Sequence, residues 1–216
     1  ALKFRQGFTL IFRAYDEGAA YRFVSDRKKE MIVKDEKAEF NFAKDWSSLV
    51  PYTSPNGSFE KQFNNPFENT YTQGRLSQLK TDKLAFLPIL VEADHGVKIC
   101  VTEADLENYP GMYVNRTEGH ALRGIFPKYP KEVRQEGHNK LQLFVKSREN
   151  YLVKATAKQQ FPWRIINVST DDRQLLDNDM VYRLASPSRI SSTDWIKPGK
   201  VAWDWWNDWG LYKVPF

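Results

Sequence analysis

Three stretches of this sequence hold residue types that could do chemistry together. The densest is "KVAWDWWNDW", where four of the seven tryptophans fall between Trp203 and Trp209, interleaved with Asp204, Asn207 and Asp208. Indole faces stack on the apolar faces of sugar rings, and carboxylates and amides beside them exchange hydrogen bonds with hydroxyls. A carbohydrate-binding surface needs that combination. The plainer reading is a hydrophobic strand separated from its domain, and the two readings are compatible.

The second stretch, "VTEADLENYPGMYV", sets Glu103, Asp105 and Glu107 at alternate positions just after an apolar run. On a continuing strand all three would share a face. Crowded carboxylates repel unless a cation joins them, and a hard ion such as calcium takes oxygen ligands. By spacing alone, solvated turn acids are the simpler reading. The third stretch, "QQFPWRII", places Trp163 and Arg164 after a proline at a strand start. Trp163 reads as core, and Arg164 as a candidate bidentate partner for a carboxylate.

Other chemistries find no support. The chain has no phosphate-binding loop, no dinucleotide glycine fingerprint, no paired cysteine ligands and no nucleophile elbow. His95, His120 and His138 lie far apart, so spacing does not suggest zinc, and no complete catalytic constellation is visible. Basic residues outnumber acidic ones 32 to 27, but they are scattered. Arg27-Lys28-Lys29 is the longest basic run, and Glu30 closes it. A nucleic-acid binder concentrates its basic charge on one face, so no nucleic-acid partner is expected. Cys100 is the single cysteine, which excludes an intrachain disulfide, and its setting in "VKICV" predicts a buried thiol. No apolar run approaches the ~20 residues of a membrane span. The opening "ALKFRQGFTLIFRAYD" reads as folded interior rather than a signal peptide, which leaves a cytosolic protein or a missing start.

The elements that must position these residues are mostly strands. Aromatic residues make up 14% of the chain, an excess that favours strands. Phe8, Leu10 and Phe12 alternate as a strand with one buried face requires, Asp16-Glu17-Gly18 supplies a turn, and Tyr21 and Phe23 resume the alternation. "KAEFNFAKD" alternates in the same way. "SSLVPYTSPNGSFEKQFNNPFENT" is rich in Ser, Pro, Asn and Gly and predicts a long loop with little regular structure. "LAFLPILVEA" and "VKICVTEADL" flank Asp94-His95-Gly96 and predict a hairpin of buried strands. "HNKLQLFVKSREN", "NYLVKATAKQQ" and "FPWRIINVSTD" are strand-like. "DDRQLLDNDMVYRLA" has helical spacing at Leu175, Leu176 and Met180. Pro198-Gly199 marks a turn before a further strand. No internal repeat is visible, and a succession of strands and turns argues an all-β antiparallel sandwich.

Five longer motifs carry a family resemblance. "GFTLIFRAYDEGAAYRF", "LVEADHGVKICVTEADLENYPGMYV", "GHNKLQLFVKSRENYLVKATAKQQFPWRII", "NDMVYRLASPSRI" and "DWIKPGKVAWDWWNDW" together resemble the glycoside hydrolase family 97 enzymes, α-glucosidases and α-galactosidases of gut-type bacteria. The resemblance covers essentially the whole chain, in the family's order. It implies an N-terminal β-supersandwich like galactose mutarotase, a (β/α)8 barrel carrying the catalytic groups, and a small C-terminal β domain. Residues 1–190 would then be the sandwich, and residues 191–216 a linker and the first strand of a truncated barrel.

Barrel active sites form at the C-terminal ends of the strands. The resemblance therefore places Asp204, Trp205, Trp206 and Asn207 at the sugar pocket. It also implies a calcium ion, for which "TEADL" makes Glu103 the candidate ligand and leaves Asp105 and Glu107 as surface acids. The structural alternative is that Glu103 only pairs with a basic neighbour, Arg164 or Lys98. The nucleophile and the general acid would lie beyond Phe216, so no catalytic residue is assigned. "VAWDWWNDW" resembles the retaining, α-galactosidase-like branch more than the inverting one, while "GLYKVPF" departs from the usual continuation.

The implied function is the N-terminal fragment of a calcium-dependent, exo-acting α-glycosidase of the periplasm, acting on oligosaccharides or glycosides and inactive by itself. The aromatic side chains from Trp203 to Trp209 are expected to fold back on the sandwich or to self-associate. Two rivals stand beside this reading. One is a non-catalytic carbohydrate-binding or structural sandwich. The other is an independent mutarotase, which would need a paired His and Glu in a cleft.

Overall fold

Alternating and apolar runs broken by turn residues fold as strands throughout the computed structural model, which describes residues 1–201 apart from residues 55, 66, 138, 139 and 156. In chain order the first strands are β1 (Leu2–Phe4), β2 (Phe8–Tyr15), β3 (Gly18–Ser25), β4 (Met31–Val33) and β5 (Glu39–Asn41). Next come β6 (Ser47–Val50), β7 (Thr72–Arg75), β8 (Ile89–Glu92), β9 (Lys98–Ala104) and β10 (Tyr113–Arg116). The last are β11 (Ala121–Ile125), β12 (Pro130–Glu136), β13 (Gln142–Arg148), β14 (Val153–Ala155) and β15 (Trp163–Ser169). Among the described residues, short α-helices join them at α1 (Phe59–Gln62), α2 (Asp172–Leu176) and α3 (Met180–Leu184).

One large antiparallel sheet has the order β1-β2-β3-β15-β9-β8-β6-β7. Its tight hairpins are local, and β1 folds back on β2 in the same way. Asp16 and Glu17 close β2 on β3, with Tyr15 opposite Gly18, and the turn at Asp94–Gly96 closes β8 on β9. The centre is not local, because β15, the last strand among the described residues, inserts between β3 and β9.

Residues alternate across a strand, so β15 serves both faces of the sheet. Trp163 and Ile165 join Ala20, Ala104, Met180 and Leu184 in a core on one face, under α3. On the other face Val101 of β9, Ile89 and Val91 of β8 and Val50 of β6 pack against a second sheet, ordered β10-β11-β5, through its Val114, Leu122 and Phe40. Both faces are covered, and each fully buried aliphatic side chain contributes about 1.5–3 kcal/mol. Two further pairs, β12 with β13 and β14 with β4, complete the strands.

Three expectations need correction. The stretch after Ser47 is not one long loop: it begins with β6, contains α1, and runs into β7. The helix is anchored by Gln62, whose amide reaches the carbonyls of Gly57 and Asp82 and whose oxygen accepts from Thr53 and Leu84. The row Phe8, Leu10, Phe12 is not a buried face either: Phe12 is 55% exposed, and Thr9 between them is the buried residue. The small sheet packs on β6, β8 and β9, and the β2 edge lies beyond that contact. Finally, "DDRQLLDNDMVYRLA" folds as two helices, α2 and α3, rather than one.

Residues Ala1–Ala185 form one compact unit and Ser186–Phe216 a second. Described residues of the second unit carry no helix or strand; Trp195 Nε1 donates to the Ser192 carbonyl at 3.1 Å. The strand expected after Pro198-Gly199 falls on residues outside the described ones. No helix among the described residues is long and apolar enough to cross a membrane.

Candidate functional site

Arg164 and Glu103 stand directly opposite one another on β15 and β9, and Tyr21 of β3 is the next residue in the same row. Because side chains alternate, Arg164 points to the sandwich side while its neighbours Trp163 and Ile165 point to the helix side. A guanidinium there is buried with its charge and must be paired. Its side chain is only 2% exposed.

The pairing is complete on both edges of the guanidinium. Nε and Nη2 donate to the two oxygens of Glu36 at 2.8 Å each, in the parallel fork that suits a carboxylate. Nη1 donates to Glu103 Oε2 at 2.5 Å. The other oxygen of Glu103 accepts from the Met112 backbone N–H at 3.0 Å. The Tyr109 and Phe126 rings lie 6.0 Å and 5.0 Å from the guanidinium carbon. Glu36 comes from the irregular segment between β4 and β5, and Tyr109 from the turn after β9. A cleft of about 860 Å³ runs alongside, with Tyr21, Phe23, Glu36, Tyr109, Phe161 and Arg164 in its wall.

Two carboxylates share one guanidinium, so the trio carries a formal charge of −1. Burial works against the charge on Arg164, and the bonds and charges of Glu36 and Glu103 outweigh it, raising its pKa further. Burial pushes the Glu103 carboxyl above its ordinary value, against the pull of Arg164 and the Met112 N–H. Tyr109 is raised far above the usual phenol, first by burial and then by the Glu36 carboxylate.

The structure thus brings Arg164 to Glu103 and gives Arg164 the bidentate partner expected for it. Lys98, the other basic neighbour considered for Glu103, instead lies 3.6 Å from Glu92 and from Asp172. Asp105 does not share a face with Glu103 and is not a surface acid. β9 ends at Ala104, Asp105 takes a positive φ of 59°, and its carboxylate meets Arg22 Nη1 at 2.8 Å, a contact with its side chain only 9% exposed. Arg22 in turn lies 4.5 Å over the Trp163 ring, on the helix side of the sheet. Glu107 is exposed. Cys100 is partly buried beside Asn167, and burial pushes its thiol up. Asp204, Trp205, Trp206 and Asn207 lie outside the described residues, as does His138. Sequence reasoning missed Glu36 and Tyr109. Glu36 sits in the charged run "KDEK", which carries no signal of burial.

Glu103 fits the role of one calcium ligand. It is a hard oxygen donor, and each of its oxygens accepts a single protein hydrogen bond, which leaves lone pairs free. Calcium takes six to eight oxygens, and among the described residues no group of three His, Cys, Asp or Glu could hold an ion. The described residues therefore offer one ligand and not a site.

Comparison with known proteins gives a consistent picture. A family model described as "Glycosyl-hydrolase 97 N-terminal" matches residues 1–187. A retaining alpha-galactosidase from Bacteroides thetaiotaomicron is 48% identical over 218 aligned positions, which take in all of this chain and 33% of the relative. The chain thus spans about a third of the length of that curated relative. Among solved structures, a glycoside hydrolase family 97 enzyme from Pseudoalteromonas sp. strain K8, in complex with acarbose, superposes with a TM-score of 0.69 at 18% identity. The match covers 89% of this chain and 25% of that one. A beta-arabinopyranosidase superposes with a TM-score of 0.57 at 19% identity, over 76% of this chain and 25% of its own. At such identities the likeness is one of fold.

Proposed function

The chain belongs to the glycosyl-hydrolase 97 N-terminal family, and from that premise we propose that it is the N-terminal domain of a retaining, exo-acting α-galactosidase that hydrolyses terminal α-linked galactose. The observation that carries this reading is the 48% identity to a retaining alpha-galactosidase, which runs over the whole chain rather than over the sandwich alone. Retention requires two carboxyl groups about 5–5.5 Å apart, one of them a nucleophile. We assign neither to these 216 residues.

In this reading the sandwich supports the active site from one side. Glu103 provides one oxygen ligand to a calcium ion, and Arg164 and the Met112 N–H hold that carboxylate in one orientation. When bound, the ion supplies positive charge beside the reacting sugar. Asp204, Trp205, Trp206 and Asn207 line the sugar site, the indoles stacking on the ring and the polar groups meeting its hydroxyls. The periplasm is the compartment, and self-association through Trp203 to Trp209 is a property of the fragment alone.

The test uses the purified 216-residue chain and the intact enzyme side by side. The intact enzyme should hydrolyse nitrophenyl α-galactoside with the α-anomer released first, seen by NMR, and should lose activity on chelation. The 216-residue chain should show no turnover above a buffer control, because it lacks the pocket that orients the reactants. An inverted first product, or turnover by the short chain, would overturn the reading.

A further inference from the structure

We propose that Glu36, which the calcium reading does not use, sets the charge at Glu103 and so governs how tightly that position takes a divalent cation, without itself being a ligand. The inference rests on the proposed calcium role of Glu103. It starts from a count of charges in a buried place. Arg164 is almost wholly buried, and its guanidinium is in contact with Glu103. Were these two alone, the pair would be neutral, and an incoming cation would meet a carboxylate already cancelled by a fixed positive charge beside it.

Glu36 changes that balance. Its two oxygens take the whole Nε/Nη2 edge of Arg164, and its side chain is itself only 17% exposed. The trio then carries −1 on side chains that are mostly buried, where a charge is screened less than at the surface. The fork also fixes the plane of the guanidinium. Only Nη1 is presented to Glu103, and it reaches one oxygen; the other meets a neutral backbone donor. Both oxygens of Glu36 face the guanidinium fork. Glu36 is therefore a positioning residue. It acts on the ion through Arg164, from a segment 128 residues away in sequence.

Calcium affinity of the intact, chelator-stripped enzyme, measured by titration calorimetry with calcium chloride, tests this without reference to turnover. Glu36→Gln keeps the shape and removes the charge, and should weaken calcium binding by about 10–100-fold, the range seen when outer partners of metal ligands are removed. Glu36→Asp keeps the charge and should lose less than about tenfold. The paired replacement Glu36→Met with Arg164→Met removes one charge of each sign; a buried ion pair exchanged for apolar residues is tolerated by folding. It keeps −1 at Glu103 and leaves the Met112 N–H to orient the carboxylate once the Arg164 donor is gone, so its affinity should lie below wild type but above that of Glu36→Gln.

Should Glu36→Gln fail to fold, the paired variant carries the test: a loss of 100-fold or more there would overturn the charge argument. Wild-type affinity in Glu36→Gln, with binding lost in Glu103→Gln, would overturn this inference and leave the calcium role of Glu103 standing. No binding by the wild-type enzyme would remove both.

Discussion

Glu36 and Arg164 form a two-point ion pair, with both donor–acceptor distances at 2.8 Å, that ties an irregular segment to the central strand of the large sheet. The same guanidinium holds Glu103 on the adjacent strand. Removing Arg164 would leave two carboxylates in a poorly solvated place with nothing to neutralise them. Arg164→Leu should destabilise the domain by about 3–5 kcal/mol, read from urea unfolding. Arg164→Lys should fall between, since an ammonium is a point charge and cannot make the fork. Equal stability of Arg164→Leu and wild type would show that the network is not structural.

Gln62 is fully buried and makes four hydrogen bonds, two as donor and two as acceptor. Gln62→Leu keeps much of the volume but strands the Thr53 hydroxyl, the Leu84 N–H and two carbonyls. Each unsatisfied buried group costs about 1–3 kcal/mol. We expect a loss of at least about 3 kcal/mol, with faster hydrogen exchange concentrated at Thr53 and Leu84. A uniform change in exchange across the domain would argue against a local anchor.

Gly18 opens β3 at a φ of +147°, and a Cβ there would lie 2.2 Å from the Ile166 carbonyl oxygen of β15. The strands can approach because the residue has no side chain. Gly18→Ala should cost about 1–3 kcal/mol through forced backbone shifts. Its thermal midpoint should fall accordingly, whereas Gly74→Ala, with open space around the added carbon, should leave it nearly unchanged.

Asp45 accepts from the Ser77 backbone N–H at 2.7 Å and from its hydroxyl at 2.6 Å. These bonds, the hydroxyl's first, hold its carboxyl below the ordinary value. A depressed folded pKa gives stability that is present above the unfolded pKa, about 3.9, and is lost as pH falls through the folded one. Asp45→Asn should therefore be less stable than wild type at pH 7, and the gap should close as the pH is lowered below about 4. A gap that stays constant to pH 2 would show that the carboxylate charge contributes nothing.

Local elements were legible where local chemistry settles them. The β2–β3 and β8–β9 hairpins follow from alternation interrupted by turn residues, and Trp163 follows from its place in an apolar run. Asp105 was misread for a reason of the same local kind. Spacing assigns it to the face of Glu103, but one residue in the left-handed region ends the strand and sends its carboxylate to the opposite face. Phe12 was misread because a strand's pattern reports which residues share a face, and not which face is covered.

By itself, the sequence determined the strand-rich character, both hairpins, the family, and the identities of Glu103 and Arg164 as residues of interest. Only the tertiary structure decided that these two meet, that Glu36 completes the pair, and that Tyr109 closes over it. The physical reason is range. A period of two residues describes neighbours along one strand, while the row from Tyr21 through Arg164 to Glu103 exists because β15, far along the chain from both partners, inserts between β3 and β9. Glu36 looks like any solvated acid in "KDEK" until that insertion buries a guanidinium 128 residues away and leaves one edge of it to be satisfied.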